Sequence, residues 1–153
     1  MTRKSIWTNA DGLQVGFGPN YSDFDEVGAV SKDGHERELR FVLDGEKFVA
    51  GSYVFNQPAV LPAGAIPLYA HVQTTEVFAL GGTTPSIQIG STGAATRFGS
   101  ATEAQAETLG TYTLAVTATP TTANTNITVT LGGTTPTVTA AGKMEVVLGY
   151  RLI

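Results

Sequence analysis

Residues 61–90 read LPAGAIPLYAHVQTTEVFALGGTTPSIQIG. Within 66–73, Ile66, Leu68, Ala70 and Val72 alternate with Pro67, Tyr69, His71 and Gln73. Successive side chains of a strand point to opposite faces, so this spacing predicts one apolar face and one mixed face. Pro67 donates no ladder hydrogen bond, which places it at the start of a strand or on an edge. Gly-Gly-Thr-Thr-Pro at 81–85 reads as a turn, after which Ile87 and Ile89 point one way. A sheet built like this buries one side and shows the other to water or a partner.

The same rule extends outward. Residues 37–43 put Leu39, Phe41 and Leu43 on one face, and Asp44-Gly45 then signals a β-hairpin into 47–56. Further on, Tyr112, Leu114 and Val116 alternate, as do Ile127, Val129 and Leu131. The last strand places Met144, Val146, Leu148, Tyr150 and Leu152 together. The pentapeptide Gly-Gly-Thr-Thr-Pro recurs at 132–136, which suggests a duplication or two equivalent corners. Residues 100–109 are the one helix candidate: Ser100 and Glu103 have capping-box spacing and Gly110 supplies a stop. Seven or eight short strands and one short helix predict an all-β fold, an antiparallel β-sandwich of jelly-roll form. An immunoglobulin-like sandwich is the alternative, with the same sheets and a different connection order.

The front of the chain differs from this body. Residues 1–60 carry 15 of the 22 charged side chains, and the body is rich in Thr, which suits a pleated sheet. Residues 1–36 lack sustained periodicity, yet they hold Ile6, Trp7, Leu13, Val15, Phe17, Tyr21, Phe24 and Val27. A solvated linker would be depleted of aromatics. The organisation read here is an extended N-terminal arm, 1–36, and a β-sandwich domain, 37–153. The arm either packs on its own body or docks on a neighbouring protein. Trp7, Leu13, Phe17, Tyr21 and Phe24 are its candidate protein-interface residues.

A chain of 153 residues buries roughly 70% of its unfolded surface and needs no metal or disulfide to fold. It has no cysteine, hence no thiolate site and no cysteine nucleophile. A net charge of −4 argues against a nucleic-acid partner, which would want a basic stripe. No apolar run reaches the ~18 residues of a membrane span, and the N-terminus lacks a signal-peptide core. The expectation is a soluble protein without a membrane partner.

Catalytic chemistry is not expected. His35 and His71 are the only histidines; His35 sits in a charged turn and His71 on the mixed face of a strand. No Gly-x-Ser-x-Gly elbow, Walker loop or dinucleotide-binding glycine pattern occurs. Asp23, Asp25 and Glu26 could gather a hard cation, but no acidic residue closes an EF-hand loop, and no metal or cofactor is expected. Glu103 and Glu107 lie on one side of the expected helix, as a capping residue and a solvated face. Trp7 and Tyr69 could stack on sugars, though packing is the simpler reading.

Two stretches carry a family likeness. One is Trp7-Thr8-Asn9-Ala10-Asp11-Gly12-Leu13 with Val15-Gly16-Phe17-Gly18. The other is Leu61-Pro62-Ala63-Gly64-Ala65, with Gly81-Gly82-Thr83, Ile87-Gln88-Ile89-Gly90 and Ala141-Gly142-Lys143. In these the chain resembles the capsid cement, or decoration, proteins of tailed bacteriophages. The resemblance implies a β-sandwich or jelly-roll module that binds the major capsid protein and stabilises the phage head. It implies a homotrimer on the outer capsid surface of the virion, assembled in the host cytoplasm. A receptor- or glycan-binding module, such as a head-fibre base or adhesin, is the alternative function.

Overall fold

The computed structural model describes residues 5–8, 14–17, 27–32 and 36–152, the first three stretches as backbone only. In chain order the strands are β1 (Ser5–Thr8), β2 (Gln14–Phe17), β3 (Val27–Lys32) and β4 (Glu36–Asp44). A 3₁₀ turn (Gly45–Lys47) leads to β5 (Phe48–Val49), β6 (Ser52–Tyr53), β7 (Val60–Leu61) and β8 (Ala65–Glu76). Then come β9 (Ala79–Ser91), β10 (Ala94–Thr102), the helix α1 (Glu103–Ala106) and β11 (Gly110–Leu114). The chain continues with β12 (Thr125–Asn126), β13 (Thr128–Ala140) and β14 (Lys143–Leu152).

Two five-stranded antiparallel sheets form the body, ordered β11-β8-β14-β4-β3 and β10-β9-β13-β6-β5. Eight strands set the topology. β4 pairs with β14, β6 with β13, β8 with β11 and β9 with β10. Pairing first with last, second with seventh, third with sixth and fourth with fifth is the nested order of a jelly roll. That connection order excludes the immunoglobulin arrangement. β3 extends one sheet beyond β4, and β1 with β2 forms a separate two-stranded ribbon.

The core lies between the sheets. β4 sends in Leu39, Phe41 and Leu43, and β14 sends in Met144, Val146, Leu148 and Tyr150, as their alternation predicts. Ile87, Ile89, Phe98 and Val129 meet them from the other sheet. Each fully buried aliphatic or aromatic side chain contributes about 1.5–3 kcal/mol relative to exposure. One flank is laced shut: Thr117 N–H donates to the Arg97 carbonyl at 2.9 Å, and Arg97 Nη2 donates to the Thr119 carbonyl at 2.8 Å. One end is closed by Thr121, whose Oγ1 donates to the Pro62 carbonyl at 2.6 Å and accepts from Ala65 N–H at 2.9 Å.

Four local expectations are corrected. The alternation of 66–73 is broken by a bulge, because Pro67 opposes Tyr150 and Tyr69 opposes Gly149, leaving Leu68 as the extra residue. Pro67 is therefore fully buried and Leu68 is partly exposed, while Ala70 and Val72 stay inward. Asp44-Gly45 makes no hairpin. The Asp44 side chain accepts from Glu46 N–H at 3.1 Å, and Gly45 N–H donates to the Gly142 carbonyl at 2.9 Å, so the chain crosses between sheets. The hairpin comes later, at Ala50 (φ 49°) and Gly51 (φ 80°), a type I′ turn between β5 and β6.

The helix is shorter than 100–109. Ser100, Ala101 and Thr102 pair with Gln88, Ile87 and Ser86, and Ala101 is buried. Sheet pairing overrides helix propensity there, and the capping box forms two residues later, between Thr102 and Gln105. The Gly-Gly-Thr-Thr-Pro repeats are not turns. Each lies inside a strand, one in β9 and one in β13, and the two lie side by side with Thr83 opposite Thr134.

Candidate interaction surfaces

The two repeats build a paired bulge with local twofold symmetry. Gly82 and Gly133 have φ of 109° and 107°, and Thr84 and Thr135 both have φ of 47°. Leu131 opposes Ile87 as Leu80 opposes Val138, which is the same pair generated by the local dyad. A Cβ on Gly82 would lie 2.7 Å from the Thr134 carbonyl oxygen, and one on Gly133 would lie 2.7 Å from the Thr83 carbonyl oxygen. Only glycine fits such an approach at positive φ. The two threonines are β-branched residues in the left-handed region, which costs on the order of 1–3 kcal/mol each. Thr83, Thr84, Thr134 and Thr135 are all exposed, so the bulge displays an uncharged hydroxyl surface.

Beside it lies a shallow groove of about 740 Å³, lined by Phe48, Gly51, Leu131, Pro136, Thr137 and Val138 among others. Its wall is the outer edge of β13. β6 pairs with β13 at Thr130 opposite Ser52, and Leu131 N–H donates to the Gly51 carbonyl at 2.8 Å. Among the described residues, no strand pairs that edge beyond this point.

The outer face of the β11-β8-β14-β4-β3 sheet is charged. Tyr69 Oη donates to Glu38 Oε1 at 2.6 Å, reaching from β8 over β14 to β4. Glu38 Oε2 accepts from Arg40 Nη2 at 2.9 Å and Nε at 3.3 Å. Arg40 Nη1 reaches Glu145 at 3.4 Å. The hydrogen bond to Glu38 raises the Arg40 pKa above its ordinary value; burial opposes this, and the charges of Glu38, Glu145 and Tyr69 reinforce it. His71 stacks beside Tyr69 with ring centroids 5.1 Å apart, and its Nδ1 lies 3.2 Å from Thr113 Oγ1. This hydroxyl–imidazole pair sits exposed on the outer sheet face. The opposite outer face carries a neutral row, Ser100, Gln88, Thr130 and Ser52.

Of the arm residues expected at an interface, Trp7 and Phe17 fall in β1 and β2, where Trp7 opposes Val15 and Phe17 opposes Ser5. Leu13, Tyr21 and Phe24 lie outside the described residues, as do His35, Asp23, Asp25 and Glu26. Glu107 is exposed, and its Oε1 also accepts from Leu80 N–H at 2.9 Å, tying the end of α1 to the start of β9. Among the described residues, no three or more His, Asp or Glu side chains gather as a metal site, and no helix is long and apolar enough to cross a membrane. Sequence reasoning missed the paired bulge, although its signal, an identical Leu-Gly-Gly-Thr-Thr-Pro at 80–85 and 131–136, is plain in the chain.

No protein-family model matches the chain, and no curated protein matches it. Among solved structures it is similar to a chain of the cyanophage Pam1 capsid asymmetric unit. The TM-score is 0.53 at 21% identity, over 95% of this chain and 98% of that one. At this identity the likeness is one of fold.

Proposed function

We propose that this chain is a structural protein of a phage virion, a cement or decoration protein that binds the major capsid protein and stabilises the head. The observation that carries this is the two-way coverage of the fold match. The neighbour is a chain of nearly the same length, it comes from a capsid asymmetric unit, and almost nothing of either chain is left over. The surfaces favour the same reading. A jelly roll with a neutral hydroxyl face, a charged face tied by Arg40 and Glu38, and an additional N-terminal ribbon is built for contact. The role is structural rather than catalytic. The working unit is a homo-oligomer, a trimer on the outer capsid surface, with Trp7, Leu13, Phe17, Tyr21 and Phe24 in the arm contacting capsid or sister subunit.

A second reading, glycan or receptor binding, is favoured by the stacked Tyr69 and His71 on an open sheet face. Co-sedimentation with capsids assembled without this chain separates the two. Saturable binding with increased thermal stability of the heads supports the cement reading. Absence of capsid binding together with retention on host cells or a glycan array overturns it.

A further inference from the structure

The two flanks of the sandwich are unequal. The β10–β11 flank is laced by Arg97 and Thr117, whereas the opposite flank ends in β3 and β5. On that second flank three features meet in one strand. The outer edge of β13 is unpaired by any described strand past Leu131. The groove runs beside it, with Phe48, Leu131 and Val138 as its apolar lining. The strained threonine pair adjoins it, and such strain concentrates at functional sites. Sheet edges left open are normally blunted with charge. Here residues 108–142 contain no charged side chain, and Glu46 is the one charged residue that lines the groove. Pro136 and the bulge blunt the first part of the edge, which leaves residues 137–140, about 13 Å of strand.

The same chain carries an element that needs such an edge. β1 and β2 are four residues each and, among the described residues, pair with each other and with neither large sheet. A two-stranded hairpin of that size is marginally stable by itself in water. Donor and acceptor also match in length, four residues against four.

We infer that residues 137–140 of β13 receive a strand of the β1–β2 ribbon from a second copy of this chain. The ribbon and the edge are different surfaces, so the contact is head-to-tail and closes into a ring when the rotation permits. Main-chain hydrogen bonds supply the affinity and the groove receives alternate side chains, as in β-strand addition. The inference rests on the self-association proposed above and is independent of the capsid.

The chain has no cysteine, so single cysteines report cleanly. Full-length Ser5→Cys and Gln14→Cys chains are each mixed with a Thr137→Cys chain and treated with a short thiol cross-linker. Light scattering and far-UV circular dichroism are run in parallel. The expected result is an oligomer with mixed-chain products whose linked peptides join the ribbon to β13. Adding Thr139→Lys to the acceptor chain should cut that product at least fivefold without loss of β signal. A chain carrying both Ser5→Cys and Thr137→Cys is treated in parallel at high dilution, and linkage within that chain with no mixed-chain product overturns the inference in favour of the chain's own ribbon. An oligomer without ribbon-to-β13 linkage overturns this interface and leaves the capsid reading standing, while a monomer overturns the self-association as well. Capsid co-sedimentation, scored separately, tests the capsid reading.

Discussion

The ring of Tyr69 lies flat over the backbone of Gly149: a Cβ at that glycine would stand 2.2 Å from Tyr69 Cζ. The register that runs unbroken from Gln73 opposite Glu145 to Ala70 opposite Leu148 brings Tyr69 opposite Gly149, and the bulge at Leu68 follows that pair. Gly149→Ala must therefore evict the ring and break its hydrogen bond to Glu38. The variant is expected to lose about 2–4 kcal/mol in urea unfolding. Tyr69→Phe keeps the ring and drops only the hydroxyl, and is expected to lose about 1–2 kcal/mol.

Arg40 gives a pH prediction by its sign. Its pKa is raised in the folded chain, first by the hydrogen bond to Glu38. The stabilisation is thus complete below the unfolded arginine pKa and is lost only as pH rises through the still higher folded value. Because Arg40 is about half exposed, solvent screening reduces its worth. Arg40→Gln is expected to lower unfolding free energy by about 1–2 kcal/mol. The wild-type-minus-variant difference should show no arginine titration between about pH 6 and 9. Chemical denaturation at several pH values checks both.

The paired bulge predicts matched effects at symmetric positions. Gly82→Ala and Gly133→Ala each place a Cβ against a carbonyl at positive φ and should each cost about 2–4 kcal/mol, equal within error. Thr84→Gly and Thr135→Gly relieve the left-handed strain of a β-branched residue. Offset by glycine's entropy, each should be neutral or stabilising by up to about 1 kcal/mol. Thermal unfolding of the four variants tests the symmetry directly.

Removing residues 1–26 spares β3, which is hydrogen-bonded to β4 over six residue pairs. The truncated chain should keep the far-UV signature of the sandwich and lose capsid occupancy or self-association. Unimpaired occupancy would assign the contact to the sandwich faces instead.

What the sequence disclosed follows from where tertiary pairing agrees with local pattern. Met144 to Leu152 alternates in sequence and in burial because β14 lies between two strands with one face on the core. The jelly roll itself was legible as a preference; its connection order needed the pairing of β4 with β14, which no local signal encodes. The missteps cluster where long-range pairing overrides turn and helix chemistry. Gly-Gly-Thr-Thr-Pro looks like a corner to any local rule, and becomes mid-strand only because its twin lies alongside. Ser100 looks like a cap, and is claimed by Gln88. The outer-face network is half visible in the sequence: alternation puts Tyr69 and His71 on the mixed face, but only the pairing of β14 between β8 and β4, with Gly149 between Tyr69 and Glu38, joins Glu38 to them.

The nested pairing also governs when the molecule can come into being. β14 inserts between β4 and β8, so Glu36 must find Arg151 across more than a hundred intervening residues. Topologies dominated by such distant partners fold slowly, on a millisecond-to-second scale. A growing polypeptide still tethered to the ribosome, with this strand inside the exit tunnel, has no finished sheet to offer. A deletion that removes β14 leaves β4 and β8 without their shared partner and should yield insoluble material rather than a smaller working unit.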